Sequence, residues 1–404
     1  MTASFNHRLD SLQDYPFERL RALTANSAPN PDLAAISLSL GEPRHPPPDF
    51  VIAALSDTHR LQSLLATYPA TRGSDELRAS IAGWMAHRFS VTLDPETHIL
   101  PVNGSREALF SFAQAVLSGN FGSAVMLPNP FYQIYEGAAL LAGAAPIYVG
   151  NDPANGYQQD FNQIDDEIWR RTELVYLCSP GNPTGQVMEE SQMQQLIGLA
   201  HRHDFIVAAD ECYAEIYFDD QAPPGSLLSA SANMGNRDFA RCVVFHSLSK
   251  RSNLPGLRSG FVAGDAKILA DYLRYRTYHG CAMGAHHQFV SSLAWQDEAH
   301  VEDNRVLYRR KFAAVSELLE PHFPLQQPQG GFYHWLPTPV DDQTFCQTLL
   351  EQYNVTVMPG TFLARDAGAG NPGSHHVRLA WVAELDNCIT AAERLVEFVR
   401  QGSF

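Results

Sequence analysis

What the chain lacks narrows its class before any motif is read. Its six cysteines, Cys178, Cys212, Cys242, Cys281, Cys346 and Cys388, form no CxxC pair. Neither a disulfide framework nor a cysteine zinc cluster is indicated, and the thiols read as free groups in a reducing compartment. Cations are scarce: 28 Lys plus Arg against 44 Asp plus Glu leave a net charge of −16 over 404 residues. A phosphate-tracking surface needs clustered cations, so nucleic acid is a poor partner. Any anionic ligand must instead be met by individual buried arginines. No membrane span is expected: the longest uncharged stretch, Ala108 to Tyr135, contains Gly119, Asn120, Gly122, Pro128, Asn129 and Pro130 and reads as helix, turn and strand. The N-terminal MTASFNHRLDSLQDYPFERL has no apolar core of a secretory signal, so a cytoplasmic location is expected. There is no internal repeat.

What is present is an ordinary globular composition, 45% hydrophobic and 18% charged, long enough for two or three domains. Short apolar runs alternate with helical-period segments through the middle of the chain, the signature of parallel βα units. The runs are His98–Val102, Ala124–Leu127, Pro146–Val149, Leu174–Cys178, Phe205–Ala209, Cys242–Phe245 and Gly260–Ala263. Between them, Ser105–Leu117 spaces Leu109, Phe112, Ala113 and Val116 along one helical face. The expected fold is α/β: a large, mostly parallel seven-stranded sheet with helices on both faces, followed by a smaller α+β domain. That second domain has a long helix at His300–Leu319 and short strands near Phe332–Trp335, Val355–Met358 and Val377–Ala380. The Pro-rich Gly41–Pro48 reads as a rigid link. The expected division is an N-terminal arm and link over 1–45, a large domain over 46–285 and a small domain over 286–404.

Four segments carry candidate chemistry. In Phe245-His-Ser-Leu-Ser-Lys250 a strand ends in hydroxyl residues and one lysine. Desolvated there, its amine becomes easier to deprotonate and can attack a carbonyl carbon. In Phe205-Ile-Val-Ala-Ala-Asp210-Glu-Cys-Tyr213 an apolar run ends in a carboxylate, with a tyrosine three residues on; the acid could hold a ring nitrogen protonated and the phenol could bond a ring oxygen. Pro101-Val-Asn103-Gly104-Ser105-Arg106-Glu107 passes from strand to helix and presents free amides suited to a phosphate. Taken singly, these three read more simply as a surface lysine, a turn cap and a plain helix start. The fourth, Ser179-Pro-Gly-Asn182-Pro-Thr-Gly185, is a rigid loop presenting one amide side chain, which suits a ligand contact better than a generic turn.

In this order the four segments resemble the fold-type I, pyridoxal-phosphate-dependent aminotransferases of class I/II. The resemblance runs from Leu40-Gly41-Glu42-Pro43 to Val377-Arg378-Leu379 and rests most heavily on SPGNPTG, ADECY and SLSKRSNLPGLRSGF. It implies a pyridoxal 5'-phosphate cofactor, amino-acid and keto-acid substrates and a homodimer. Lys250 would then join the cofactor and shuttle the proton, Asp210 would face the ring nitrogen, and Asn182 and Tyr213 would bond the ring oxygen. Tyr132 would stack on the ring, and Gly104, Ser105, Arg106, Ser247, Ser249 and Arg258 would hold the phosphate, with Tyr68 reaching it from the neighbouring subunit. Arg378 would grip the substrate α-carboxylate opposite the Gly41 backbone.

Within the family, LDSLQDYPFERL, PVNGSREALFSFAQAV, NPFYQIYEGAALLAGA and YRTYHGCAMG are similar to the N-succinyl-LL-diaminopimelate aminotransferases of bacterial lysine and cell-wall synthesis. That likeness implies amino transfer between glutamate and N-succinyl-2-amino-6-oxoheptanedioate. Acceptors of aspartate, aromatic or N-acetylornithine type remain open, as does a carbon–sulfur β-lyase, because Lys250, Asp210 and Arg378 serve both chemistries. A substrate with several carboxylates needs further cations. Arg44, Arg72, Arg251 and Arg276 are candidates, and the polar segment Arg276-Thr-Tyr278-His279-Gly280 is expected to line the distal pocket.

Three other signals lead elsewhere and fail on context. Gly368-Ala-Gly370-Asn-Pro-Gly373 matches GxGxxG, but Pro372 interrupts it and a strand is expected where a helix must begin. His286-His287 and His375-His376 are adjacent pairs that face different ways, without a carboxylate or cysteine to complete a metal site, so no metal is expected. A regulator carrying an aminotransferase-like domain behind a helix-turn-helix would need more residues ahead of Gly41 and a less acidic chain.

Overall fold

The computed structural model describes residues 5–120, 122–150, 154, 159–162, 164–368 and 370–402. In chain order its strands are β1 (Ile36–Ser37), β2 (Ile99–Val102), β3 (Ala124–Asn129), β4 (Ala145–Gly150), β5 (Thr172–Cys178), β6 (Ile206–Asp210), β7 (Cys242–Ser247), β8 (Gly260–Gly264), β9 (Tyr333–Pro337), β10 (Val355–Thr356), β11 (Met358–Pro359) and β12 (His376–Ala380). Strands β2 to β8 form one seven-stranded sheet in the order β2-β8-β7-β6-β5-β3-β4. Only β8 runs against its neighbours. The α/β expectation holds.

Buried side chains explain why these segments are strands. Along β5 to β7, Val175, Leu177, Val207, Ala209, Cys242 and Val244 face one apolar core, while Leu174, Tyr176, Ala208, Val243 and Phe245 face a second core on the other side. Both faces are covered, so the strands read as continuous apolar runs with a period of two hidden inside them. Each fully buried Val or Phe contributes about 1.5–3 kcal/mol relative to exposure. The parallel strands all point their C-terminal ends to one edge, where an open α/β sheet places its ligands.

A third core gathers Phe345, Trp381, Leu395 and Phe398 from the C-terminal part around β9, β11 and β12, which form an antiparallel sheet in the order β11-β12-β9. The N-terminal arm joins this part through the parallel pair β1–β10 and through Leu20, which packs with Trp335, Met358 and Phe362. The helix Ala285–Gln296, expected at the start of the small domain, instead sends Val290, Ala294 and Trp295 into the large core beside Trp84. The change of core therefore falls after residue 296, ahead of the helix Ala299–Leu319, because amphipathic period alone does not reveal which core a helix covers. Among the described residues no helix is long and apolar enough to cross a membrane. All six cysteines are free.

Candidate active site

The C-terminal ends of the strands open onto one cleft of about 480 Å³, lined by every residue expected to hold the cofactor or the substrate α-carboxylate except Gly104 and Tyr68. Strand β6 delivers Asp210 to its floor, and β7 delivers Ser247 and then Lys250 on the short helix Leu248–Arg251. Strand β5 leads into the loop that carries Asn182, and β12 brings Arg378 from the other side.

Lys250 Nζ donates to the Gly41 carbonyl at 2.7 Å and lies 5.3 Å from the centre of the Phe332 ring. Burial pulls its amine down to about 8 against the opposing pull of Cys212 and Glu42, so a neutral, nucleophilic form is accessible near physiological pH. Asp210 is 4% exposed. Its Oδ2 accepts from Tyr135 Oη at 2.8 Å and its Oδ1 from the Cys212 amide at 3.2 Å. Burial pushes the carboxyl above its ordinary value, and the two hydrogen bonds, with His246 nearby, pull against it. An anion held this way seeks a cation, and the cleft is the side from which one can arrive.

Around the amine, hydroxyls and guanidiniums converge. Tyr213 Oη and Tyr333 Oη are 3.0 Å apart, and both phenols are raised by burial. Gly41 is required by proximity: a Cβ there would sit 1.8 Å from Tyr333 Oη. Arg378 donates through Nη1 to Asn182 Oδ1 at 3.0 Å and through Nη2 to the Ser39 carbonyl at 2.7 Å, with its guanidinium 4.6 Å from the centre of the Tyr333 ring. Its Nε is buried and has no hydrogen-bond partner among the described residues. A buried donor left unmatched costs about 1–3 kcal/mol, which an incoming carboxylate would recover.

At the other end lies an anion cradle. Gly104 holds φ +83°, and a Cβ there would meet Arg258 Nη2 at 2.4 Å, so both the backbone and the space demand glycine. It leads into the helix Ser105–Val116, whose first amides are unpaired within the helix. Ser247 Oγ is fixed by Ser249 Oγ at 2.9 Å and the Ser259 carbonyl at 3.1 Å. Arg258, left-handed at φ +54°, donates to the Pro255 carbonyl at 2.7 Å. Amine, buried carboxylate, paired phenol and cradle are the donor set that an aromatic aldehyde phosphate requires, so the residues present fit pyridoxal phosphate.

Several expectations are corrected by the geometry. The Arg106 side chain turns away from the cradle: Nε donates to Tyr132 Oη at 2.7 Å and Nη2 to Tyr15 Oη at 3.3 Å, leaving only its backbone at the phosphate end. Tyr68, expected to act on a neighbouring copy and so no part of these corrections, is fully exposed and outside this cleft. Arg276, expected in the distal pocket, is fully buried and bonded to Glu107 at 2.8 Å, to Tyr272 at 3.1 Å and to the Cys281 carbonyl at 3.0 Å. Arg251 is likewise spent inside the protein on Glu298 and the Ala294 carbonyl. Arg72 pairs with Glu96 at 2.6 Å, and Arg44 is exposed outside the cleft. Sequence reasoning passed over Tyr135 beneath Asp210, Tyr333 beside Tyr213, and Tyr15 at the mouth. Tyr135 stands three residues after Tyr132 on the same helical approach, a spacing that marks a shared face without naming its partner.

A family model described as aminotransferase class I and II matches residues 34–390. An LL-diaminopimelate aminotransferase of Syntrophobacter fumaroxidans is 30% identical over 394 residues, covering 96% of this chain and 97% of the relative. Among solved structures, an aminotransferase from Neisseria meningitidis superposes with a TM-score of 0.94 at 45% identity, over 98% of this chain and all of the other. A probable N-succinyldiaminopimelate aminotransferase from Thermus thermophilus superposes with a TM-score of 0.84 at 25% identity, over 95% and 99% of the two chains.

Proposed function

The chain belongs to the class I and II aminotransferases, pyridoxal-phosphate enzymes, and from that premise we propose that it passes an amino group between L-glutamate and N-succinyl-2-amino-6-oxoheptanedioate. The observation that carries this choice is the pair of arginines in one cleft. Arg378 has a buried Nε still to be satisfied, and Arg106 at the mouth is held by two tyrosine hydroxyls with no carboxylate within ion-pairing distance among the described residues. Two such cations suit a substrate with carboxylates at both ends. The names of the similar proteins from Syntrophobacter and Thermus point to the diaminopimelate skeleton.

Pyridoxal phosphate, when bound, supplies an electron sink for charge developing at the substrate Cα. The residues of this chain do the rest. Lys250 Nζ, deprotonated, takes the α-proton and returns it on the product side. Asp210 keeps a proton on the ring nitrogen, and Tyr135 keeps Asp210 aimed. Tyr213 and Asn182 meet the ring oxygen, and Tyr132 covers the ring face. Gly104, Ser105, the Arg106 backbone, Ser247, Ser249 and Arg258 hold the phosphate. Arg378 and the Gly41 backbone orient the α-carboxylate, and Arg106 receives the distal one. In this reading Tyr68, exposed together with Leu65 and Tyr278, serves the phosphate of a second copy in a homodimer, and the enzyme works in the cytoplasm.

A pair of half-reactions tests the substrate. Glutamate should abolish the visible absorbance of the loaded enzyme, and the succinylated keto acid should restore it. Restoration by the unsuccinylated diaminopimelate-derived keto acid alone would overturn the succinyl assignment while keeping the skeleton. Release of pyruvate from cystathionine without any keto acid would move the protein to the lyases.

A further inference from the structure

Outside the cleft, a chain of buried polar groups runs from the C-terminal part of the molecule to the backbone of Lys250. Lys311, on the helix Ala299–Leu319 and 2% exposed, places Nζ 2.6 Å from His45 Nε2 and 3.4 Å from the Val382 carbonyl. His45, buried in the Pro-rich link, places Nδ1 2.8 Å from Asn304 Oδ1. Asn304, also buried, sends its amide nitrogen to the carbonyl of Lys250 at 3.2 Å and to that of Arg251 at 3.4 Å. Its Oδ1 accepts in addition from Asn253 at 2.9 Å.

Both ends of this chain fix its direction independently. The two carbonyls can only accept, so the Asn304 amide nitrogen must face them and its oxygen must face His45. His45 Nδ1 must then donate, which leaves Nε2 as an acceptor, and Lys311 Nζ is a donor. Burial favours the neutral imidazole this requires and also pulls Lys311 down. The charged and titratable groups facing the pair are Glu384, Cys388 and the Tyr308 ring, 4.6 Å from His45. No carboxylate lies within ion-pairing distance of Lys311 among the described residues, so the lysine is poorly explained as a stabilising charge. The link that presents His45 also presents Gly41, whose carbonyl holds Lys250 Nζ.

We infer that His45, Asn304 and Lys311 are positioning residues for Lys250, forming a one-way hydrogen-bond relay by which the link and the small-domain helix hold the lysine's main chain while Gly41 holds its amine. The lysine is thus gripped at its amine by the link and at its main chain by Asn304 of the helix, which the link's His45 holds in turn. The relay sets the depth in the cleft at which the short helix Leu248–Arg251 presents the amine. The inference rests on Lys250 being the amine that joins the cofactor.

The test uses the loaded, full-length enzyme and three variants. Asn304→Leu removes the relay; Asn304→Asp, nearly isosteric, keeps the acceptor toward His45 and removes the donor toward Lys250. Val315→Ala, buried on the same helix, matches the loss of packing without touching the relay. In both Asn304 variants the pH at which the visible absorption band changes should rise by about one unit, since a loosened nitrogen is better hydrated. kcat should fall about tenfold with KM for glutamate within about twofold. Val315→Ala should shift neither at equal loss of thermal stability. If Asn304→Leu does not fold, Asn304→Asp carries the measurement. A pH midpoint in Asn304→Asp that coincides with that of the parent overturns the relay, even when Lys250→Ala is inactive. An active Lys250→Ala removes the relay and the reading beneath it together.

Discussion

At the cradle end of the cleft, Gly104, Ser105, Ser247 and Arg258 sit on turns joined directly to β2, β7 and β8, and much of what they offer is backbone. At the mouth, Arg378, Arg106, Tyr15 and Gly41 arrive from separate segments, and all but Gly41 offer side chains. The first end is fixed once the sheet folds. The second depends on the N-terminal arm and the C-terminal part docking where they do. Constancy of chemistry belongs to the one, choice of substrate to the other.

The sharpest break of this contrast lies between the two ends. Lys250→Ala should lower kcat/KM for every substrate by about 10⁴-fold or more, measured by steady-state transamination, because nucleophile and proton carrier go together. Asp210→Asn keeps shape and removes charge; kcat should fall by about 10²–10³-fold with KM for glutamate little changed. Full turnover in that variant would undo the ring-nitrogen role. At the mouth, Arg378→Gln should raise KM by about 10²-fold for every amino acid, whereas Arg106→Gln should cost about tenfold and only for substrates with a second carboxylate. Equal losses for monocarboxylate and dicarboxylate donors in Arg106→Gln would erase the distinction drawn for that side chain.

The smallest effect is one of stability. In the cofactor-free chain Lys250 deprotonates near pH 8 rather than at its ordinary 10.5, so between those values the unfolded chain binds more protons than the folded one. Stability should therefore rise with pH across that window, and the rise should vanish in Lys250→Met, as thermal unfolding at pH 8 and pH 10 would show. A slope that persists in Lys250→Met would assign it to another group.

The cradle end was largely legible in the sequence because its residues are consecutive: a strand, a turn and a helix start carry Gly104 and Ser105, and one strand end carries Ser247 and Lys250. The mouth was not. Arg276 reads as a free cation in a polar segment only until Glu107, far away in sequence, is found bonded to it. The Arg106 side chain was assigned by its position in a motif, while its orientation is set by Tyr132 and Tyr15. His45, Asn304 and Lys311 carried no signal, since a buried relay between distant segments leaves no local pattern. The domain boundary was misplaced for the same reason: Ala285–Gln296 looks amphipathic whichever core it covers.

The helix Ser105–Val116 begins at the cradle, and its second residue already serves the mouth. Successive helical positions differ by about 100° in direction, so one residue inserted between Gly104 and Arg106 would swing the guanidinium out of the cleft. Exchanging Arg106 for another side chain leaves the cradle's amides where they are. At position 106 the stretch is therefore locked in length but free in side chain, whereas Gly104 is fixed by its positive φ and by the Arg258 side chain against it.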